Sequence, residues 1–238
     1  MNEPIISSIT IFLPTRKGSE RVKNKNTRPF SHYKKGGLLE LKLKQLLNIE
    51  NCNEIILSSD DPVCLRIGEN FKKSNNKLRI IKRPDILAQS DTDLVDLINH
   101  ASDVSSSDHI LWTHVTSPFI TDSDYRKAIE LYFINRKDGY DSLMSVKKIT
   151  NYVWNRKRND IINRKTNEKW PRTQDLETLY EINNGIFITS KKIYFYKHDR
   201  IGEKPFLHEM NEIKSFDIDW ESDFYWAEKL INILNHSF

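Results

Sequence analysis

The sequence predicts an α/β protein in which a mostly parallel central sheet lies between layers of helices. Over about the first 135 residues, short apolar runs rich in β-branched side chains alternate with segments of helical periodicity, as in a parallel sheet. The chain has 238 residues, of which 38% are hydrophobic and 29% charged, a balance typical of soluble globular proteins. Sheets of this kind bind ligands beyond the carboxyl ends of their strands.

The first half of the chain contains the clearest elements. The predicted strands are short apolar runs bounded by polar residues: Ile9–Leu13, Glu54–Leu57, Leu78–Lys82 and His109–Val115. The predicted helices have apolar residues at helical spacing: Leu38–Leu47, Asp91–Val104 and Asp122–Asn135. Asp60 and Asp61 follow the second strand and are expected to cap a further helix.

The second half is less regular. Its predicted elements are the strands Ser142–Val146, Gly185–Thr189 and Ser215–Ile218, and the closing helix Ser222–Leu234. Residues 147–171 are polar and rich in Asn, Lys and Arg, and their aromatic residues have no periodic apolar neighbours. We predict that this segment leaves the core as a small hairpin arm, and that residues 1–238 otherwise form a single domain. Because exposed aromatic patches mark interfaces, the arm is expected to support a homodimer.

Composition excludes several classes of protein. With 37 basic and 33 acidic residues the net charge is +4, which suits a phosphate or carboxylate site but not a nucleic-acid binder. Cys52 and Cys64 lie in no metal-binding or redox spacing. The start of the chain lacks the basic region of a signal peptide, and no run approaches the ~20 apolar residues of a membrane helix. We therefore expect a cytoplasmic protein without membrane or nucleic-acid partners.

A basic segment follows the first predicted strand directly. Residues 14–26 read PTRKGSERVKNKN and contain five cationic side chains. Backbone N–H groups in a turn after a buried strand, together with such side chains, form a cradle for anions. The spacing matches neither a P-loop nor a dinucleotide fingerprint, and composition alone would equally fit a solvated surface. The position after a buried strand favours a phosphate site.

Six segments between residues 9 and 228 carry a more specific pattern. They are LPTRKGSERVKNKN with Arg16, Ser19, Lys25 and Asn26 at fixed positions; RPDILA at 83–88 followed by Asp91; TSPF at 116–119; RTQDL at 172–176 with Tyr180; Asn184-Gly185 with Ile188; and DID at 217–219 with Asp223, Ala227 and Glu228. In this order they resemble the motifs of CMP-sialic acid synthetases (acylneuraminate cytidylyltransferases). The resemblance implies a Rossmann-like three-layer sandwich, a dimer, and transfer of CMP from CTP to an acidic nine-carbon sugar.

The resemblance also implies roles for individual residues. The implied nucleotide-binding residues are Arg16, Gly18, Ser19, Lys25, Asn26 and Arg83, and the implied catalytic residues are Arg16, Lys25, Asp217 and Asp219. Asp217 and Asp219 alternate along a predicted strand, so both carboxylates would leave one face and suit Mg²⁺. The implied sugar-binding residues are His114, Asn184, Gln174 and Arg172. The planar fork of Arg172 suits the carboxylate of the acceptor.

The chain departs from the family pattern in ways that leave alternatives open. His114-Val115 stands where many members have Gln-Pro, so His114 either contacts sugar or ribose or is an ordinary histidine at a strand end. The arm matches poorly, and an eight-carbon keto sugar acid or a sugar phosphate remains an alternative acceptor. A third reading is a non-catalytic module that binds a nucleotide or glycan. Retention of the four implied catalytic residues favours an enzyme.

Overall fold

The computed structural model describes residues 8–89 and 91–236. Its strands are β1 (Ile9–Thr15), β2 (Glu54–Ser59), β3 (Leu78–Lys82), β4 (His109–Thr113), β5 (Ser142–Ile149), β6 (Trp154–Asn155), β7 (Asp160–Ile161), β8 (Leu179–Ser190) and β9 (Pro205–Glu209). Its α-helices are α1 (Gly37–Leu47), α2 (Pro62–Lys72), α3 (Leu94–Val104), α4 (Asp122–Arg136), α5 (Lys191–Lys197) and α6 (Glu221–His236). Short 3₁₀ turns occupy Asp85–Leu87 and Thr173–Asp175.

Seven strands form the central sheet, in the order β3-β2-β1-β4-β8-β5-β9. β8 runs antiparallel to both of its neighbours, and the other strand pairs are parallel. This confirms the predicted α/β fold with a mostly parallel sheet. The parallel strands β1 to β4 end at one edge, and the site lies at that edge.

The two faces of the sheet are covered by different helices. On one face Ile11 and Leu13 of β1 pack into a core shared with residues of α1, α4 and α6. On the other face Phe12 packs with Trp112, Ile98 of α3 and Tyr194 of α5. Every residue of β1 is buried, as expected for a central parallel strand covered on both sides. These are the three layers that the sequence predicts.

Several predicted boundaries shift. The strand predicted at His109–Val115 ends at Thr113, and the helix predicted from Asp91 begins at Leu94 with Asp93 as its cap. Asp61 caps α2 by accepting a hydrogen bond from the backbone N–H of Val63, at 2.8 Å, which confirms half of the predicted acidic cap. α5 and β9 were not predicted from the sequence. No helix in the described part of the chain is both long and apolar enough to cross a membrane.

The strand predicted at Ser215–Ile218 is wrong. A turn occupies this region, because the backbone N–H of Ser215 donates to the carbonyl of Asn211 and the Asn211 side chain accepts from Lys214. The chain then continues outside any strand, although the N–H of Ile218 donates to the carbonyl of Thr116 at 3.0 Å. Strand alternation therefore does not determine where Asp217 and Asp219 point.

The predicted arm is partly confirmed. Residues 147–149 belong to β5 of the main sheet, and β6 and β7 then form a separate two-stranded antiparallel hairpin. Two of its aromatic residues contact each other within the segment. Tyr152 and Trp170 stack edge to face, with ring centroids 5.6 Å apart. Trp154 and Trp170 nevertheless remain 57% and 62% exposed.

Candidate nucleotide-binding site

A pocket of about 460 Å³ opens at the carboxyl edge of the parallel strands. Its walls come from the end of β1, the basic loop after it, α3, and the segments after β3 and β4. The residues that line it are Pro14, Thr15, Arg16, Ser19, Glu20, Arg21, Val22, Lys25, Asn26, Arg83, Leu97, His114, Val115 and Thr116. The pocket therefore has the position expected for the ligand of such a sheet, and the predicted phosphate loop forms much of its wall.

Hydrogen bonds within the basic loop fix its shape. The amide of Asn26 donates to the carbonyl of Arg16 at 3.1 Å, and the N–H of Lys17 donates to Asp60 at 3.0 Å. Gly18 has a positive φ of 77°, a conformation that side chains disfavour. Gly18 lines a smaller cavity of about 330 Å³ on another side of the loop, together with Arg16 and Asn26. Asn26 thus closes the loop, and Gly18 permits its turn.

Arg83 connects the end of β1 with the residue that follows β2, beneath the pocket. It is only 3% exposed, and its guanidinium donates to the carbonyl of Thr15 and lies 3.6 Å from Asp60. Burial lowers the pKa of Arg83, and the neighbouring Asp60 opposes that shift. Arg83 therefore both fixes the carboxyl edge and adds positive charge to the pocket.

Asp219 ties the basic loop to the segment before α6. Its carboxylate lies 3.0 Å from the guanidinium of Arg21 and 3.6 Å from the ammonium of Lys25. The ammonium of Lys25 also donates to the carbonyl of Ile218 at 2.8 Å. Lys25, Arg21 and Asp219 therefore form one charged cluster at the pocket wall.

Asp217 lies beside this cluster with one carboxylate oxygen unsatisfied. Its Oδ1 is buried and has no hydrogen-bond partner in the described part of the chain. Burial raises the pKa of Asp217, a hydrogen bond from the Thr116 side chain lowers it, and the charge of Asp219 raises it further. Buried polar atoms normally have partners, so an orphaned carboxylate oxygen beside a second carboxylate fits a hard cation. Within the described residues, no group of three or more His, Cys, Asp or Glu side chains could hold a metal ion.

His114 lies in the pocket wall just beyond β4. Its Nε2 accepts a hydrogen bond from the indole N–H of Trp112 at 2.9 Å, and a guanidinium nitrogen of Arg200 lies 3.3 Å from the same atom. Burial, followed by the positive charges of Arg200, Lys25 and Lys42, lowers the pKa of His114 to about 3. The imidazole is therefore neutral at physiological pH.

The three remaining predicted sugar residues do not line the pocket. Arg172 is 74% exposed and its Nε donates to Asp175 at 2.8 Å, while Gln174 is exposed on the adjoining 3₁₀ turn. Asn184 has a positive φ of 54° at an irregularity in the pairing of β8 with β5. Its neighbour Asn183 is buried and holds Ser145 and Ser215 instead. The residues predicted to bind the nucleotide thus line the pocket or the smaller cavity beside it, whereas Arg172, Gln174 and Asn184 line neither.

Sequence reasoning missed three cations near the pocket. Arg21 lay inside the recognised loop but was not assigned a role, and Arg200 had no pattern to mark it. Lys42 had a signal, since it stands among the leucines of α1. It is fully buried, and its ammonium donates to the carbonyl of Ser117 and the hydroxyl of Tyr125, each at 2.8 Å. Burial lowers the pKa of Lys42 to about 7.

Comparison with known structures places the fold. The chain is similar to CMP:2-keto-3-deoxy-manno-octonic acid synthetase complexed with CTP, with a TM-score of 0.64, 15% identity, and coverage of 95% of this chain and 99% of that one. It is also similar to 4-diphosphocytidyl-2C-methyl-D-erythritol synthase from Anaerococcus prevotii, with a TM-score of 0.64, 14% identity, and coverage of 95% and 99%. At these identities the likeness concerns the fold.

Comparison with curated sequences adds three relatives. The chain is 28% identical to CMP-N,N'-diacetyllegionaminic acid synthase of Legionella pneumophila, over 94% of this chain and 97% of that protein. It is 22% identical to post-translational flagellin modification protein B of Campylobacter coli, over 97% of each. It is 24% identical to N-acylneuraminate cytidylyltransferase of Streptococcus agalactiae over 78% of this chain, and that match spans only 43% of the streptococcal protein.

A family model decides the assignment. The model described as Cytidylyltransferase matches residues 10–236, which is nearly the whole chain and includes every candidate site residue named above. The chain belongs to the cytidylyltransferase family.

Proposed function

We propose that this protein transfers CMP from CTP to the anomeric hydroxyl of a sialic acid or a related nonulosonic acid and releases pyrophosphate. The observation that carries the proposal is the convergence of Arg16, Arg21 and Lys25 on a pocket at the carboxyl edge of a cytidylyltransferase sheet. Similarity over nearly the full length to a CMP-N,N'-diacetyllegionaminic acid synthase supports an acidic sugar as the acceptor.

The basic loop would hold the triphosphate. Arg16 and Lys25 supply positive charge, Ser19 supplies a neutral donor, and the backbone N–H groups around Gly18 complete the cradle. Asn26 keeps this loop in shape through its bond to Arg16, so it would act on the nucleotide partly through the loop. Arg83 would add charge from below without moving, because it is buried and bonded to β1.

The chemistry requires alignment more than covalent participation. The anomeric hydroxyl would attack the α-phosphorus and lose its proton to solvent, forming a new O–P bond as the bond to the pyrophosphate oxygen breaks and pyrophosphate leaves. Such transfers proceed when the nucleophile and leaving group lie in line and the charge on the phosphoryl oxygens is neutralised. Lys25 and Arg16 would neutralise that charge. The CMP group would pass directly to the sugar, without a covalent enzyme intermediate.

Asp217 and Asp219 would hold Mg²⁺ beside the phosphates. The unpartnered oxygen of Asp217 and the neighbouring carboxylate of Asp219 are the oxygen ligands that this ion prefers. When bound, Mg²⁺ supplies Lewis-acid neutralisation of phosphoryl charge. Arg21 and Lys25, which pair with Asp219 in the structure, would also donate to phosphate oxygens.

The acceptor would lie near His114, with Asn184, Gln174 and Arg172 as further proposed ligands. His114 is part of the pocket, whereas Arg172 reaches solvent and is bonded only to Asp175 among its described contacts. Because its charge is not committed to a buried partner, Arg172 can engage a carboxylate without breaking the fold.

We expect Arg172→Ala to raise the KM for the sugar acid by roughly 10- to 150-fold, the loss of a charge-assisted contact of ~1.5–3 kcal/mol. The KM for CTP should change little, because Arg172 lies outside the nucleotide pocket. Steady-state kinetics with each substrate varied in turn measures both values. Arg158→Ala removes an exposed arginine of the preceding arm and should leave both constants unchanged. An unaltered sugar KM in Arg172→Ala would remove this residue from the site.

We also propose that the protein is a homodimer whose interface includes the arm. Trp154 and Trp170 expose more than half of their surface, and such aromatic patches mark interfaces. Sedimentation velocity at micromolar concentration should give a dimer, and Trp154→Ala should weaken it. A wild-type monomer under these conditions would contradict the proposal.

The nucleotide assignment has a direct test. Purified protein is incubated with Mg²⁺, a mixture of nonulosonic acids and one nucleotide at a time, and pyrophosphate release is followed. CTP should be the preferred donor, because the chain belongs to the cytidylyltransferase family. Faster release from UTP or GTP than from CTP at equal concentration would show that the base is assigned wrongly.

A further inference from the structure

A partly buried cation that forms no ion pair within the described residues lies beside His114. Arg200 follows α5, and its guanidinium lies 3.8 Å from the ring centroid of Phe187 and 5.2 Å from that of Trp112. Among the ion pairs of the described residues, none includes Arg200. Arg200 therefore contacts aromatic faces and the imidazole of His114 directly, while the charge of Asp199 acts on it without a direct ion pair.

The contacts of His114 determine which ring nitrogen carries the hydrogen. The indole of Trp112 and the guanidinium of Arg200 carry hydrogen-bond donors and no acceptor. Both lie within hydrogen-bonding distance of Nε2 of His114. Nε2 must therefore present its lone pair, and the hydrogen of the neutral ring lies on Nδ1. Nδ1 has no partner among the described residues and is not one of the atoms sealed from solvent. Since His114 lines the pocket, Nδ1 is the atom that a ligand there can reach.

We infer that Arg200 and Trp112 are positioning residues that hold His114 as a neutral imidazole whose Nδ1–H donates to an oxygen of the acceptor. That the oxygen belongs to the acceptor rests on the proposed function, whereas the state of the imidazole does not. The positive charges around the ring, from Arg200, Lys25 and Lys42, favour an anionic oxygen such as a carboxylate.

Electrostatics supports this arrangement across the working range of pH. Protonation would place an Nε2–H against the N–H of Trp112 and add a charge beside Arg200. Burial and the charges of Arg200, Lys25 and Lys42 lower the pKa of His114 to about 3. The pocket therefore keeps one fixed hydrogen-bond donor from mildly acidic to alkaline solution.

The imidazole can be observed directly by ¹⁵N NMR of the full-length protein without substrate. The chain has seven histidines, and His114→Asn identifies the signal that belongs to this residue. The expected result is a hydrogen on Nδ1 and no titration between about pH 5 and about pH 8. A hydrogen on Nε2, or titration within that interval, would overturn the inference whether or not the protein proves to be a transferase.

Variants of Arg200 test whether this residue sets the state of the ring. Arg200→Met removes the charge and one of the two donors, so the pKa of His114 should rise by roughly one unit or more, while the indole N–H of Trp112 still holds the hydrogen on Nδ1. Arg200→Lys keeps the charge and should preserve the wild-type pKa. Arg136→Gln is a matched control, because Arg136 lies 3.3 Å from Nε2 of another buried histidine, His109. It should alter the His109 signal and leave His114 unchanged.

Kinetics then connects the imidazole to the acceptor. Arg200→Met should raise the KM for the sugar acid about threefold to tenfold, change the KM for CTP less than about twofold, and be largely rescued by Arg200→Lys. His114→Asn, which can keep an N–H near the position of Nδ1, should retain more acceptor affinity than His114→Ala. An unchanged sugar KM in Arg200→Met, despite an altered imidazole signal, would contradict the acceptor contact. Absence of transfer with every acid in wild type would instead contradict the proposed function.

Discussion

Asp217→Asn is expected to lower kcat by at least about a hundredfold and to leave the protein as stable as wild type or more stable. The rate should fall because the proposed Mg²⁺ offsets charge that develops during transfer, and an amide is a poor ligand for a hard cation. CTP binding should fall much less, because Arg16, Lys25 and the loop N–H groups still hold the phosphates.

The expected stability of the Asp217→Asn variant follows from the buried carboxylate oxygen of Asp217 that has no hydrogen-bond partner in the described part of the chain. Burial raises the folded-state pKa of Asp217 above its unfolded value, so the charged form costs stability at neutral pH. That cost disappears as the pH falls through the folded pKa. Asparagine removes the charge at similar size, so the melting temperature at neutral pH should not fall. If Asp217 only capped a turn, the variant would instead lose about 0.5–2 kcal/mol with its rate nearly intact.

Asp219→Asn should lower kcat by a similar factor with a small loss of stability. Asp219 pairs with Arg21 across a surface where the two side chains are 45% and 50% exposed, and such pairs contribute about 0–1 kcal/mol. Glu221→Gln is the control, because Glu221 lies two residues after Asp219, pairs with Arg28 and has no proposed part in catalysis. Turnover rates and melting temperatures of the three variants distinguish carboxylates that bind a metal from carboxylates that only stabilise the local structure. Wild-type rates in Asp217→Asn or Asp219→Asn would remove the metal site from the mechanism.

Lys25→Met should lower kcat/KM for CTP by about a hundredfold to a thousandfold, the usual consequence of losing a preorganised donor at a phosphoryl centre. Lys25 is the cation best held for this role. Its side chain is 14% exposed, and its ammonium is fixed between the carbonyl of Ile218 and the carboxylate of Asp219. Steady-state kinetics with CTP as the varied substrate measures the effect.

The neighbouring Lys23 provides the control for this variant. Lys23 is exposed and does not line the pocket, although it belongs to the same basic loop. Lys23→Met removes an equal charge from the loop, so it should keep nearly all activity. Equal losses in Lys23→Met and Lys25→Met would mean that the loop acts through its net charge, and Lys25 would lose its specific role.

Much of the fold was predictable because the hydrophobic pattern of most segments matches the way those segments are buried in the structure. Ile9–Leu13 is apolar and β-branched and is covered on both faces of the sheet, so its composition alone indicates a central strand. Ser215–Ile218 alternates polar and apolar residues but forms no strand, because a turn at residues 212–215, held by the Asn211 side chain and backbone, runs into irregular chain. β9 was missed because Pro205–Glu209 is a partly exposed edge strand with no clear alternation.

The candidate site was predictable only where its residues adjoin a strand end. Arg16 and Lys25 follow β1 directly, and parallel topology then brings them to the edge where Arg83 also lies. Arg200 is more than 80 residues from His114 in the chain, and only tertiary packing joins them. The position of Arg172 was equally undetermined, because its segment belongs to an irregular region outside the central sheet.

Acceptor dependence of pyrophosphate release is the most direct test of the account. Purified protein with CTP and Mg²⁺ is given a nonulosonic acid, an eight-carbon keto sugar acid, a sugar phosphate or no acceptor, and the product is identified by mass spectrometry. The account predicts rapid release with a nonulosonic acid, formation of its CMP conjugate, and little release without an acceptor. Faster transfer to the eight-carbon acid or the sugar phosphate would contradict the proposed acceptor, and no transfer to any of them would contradict the proposed function.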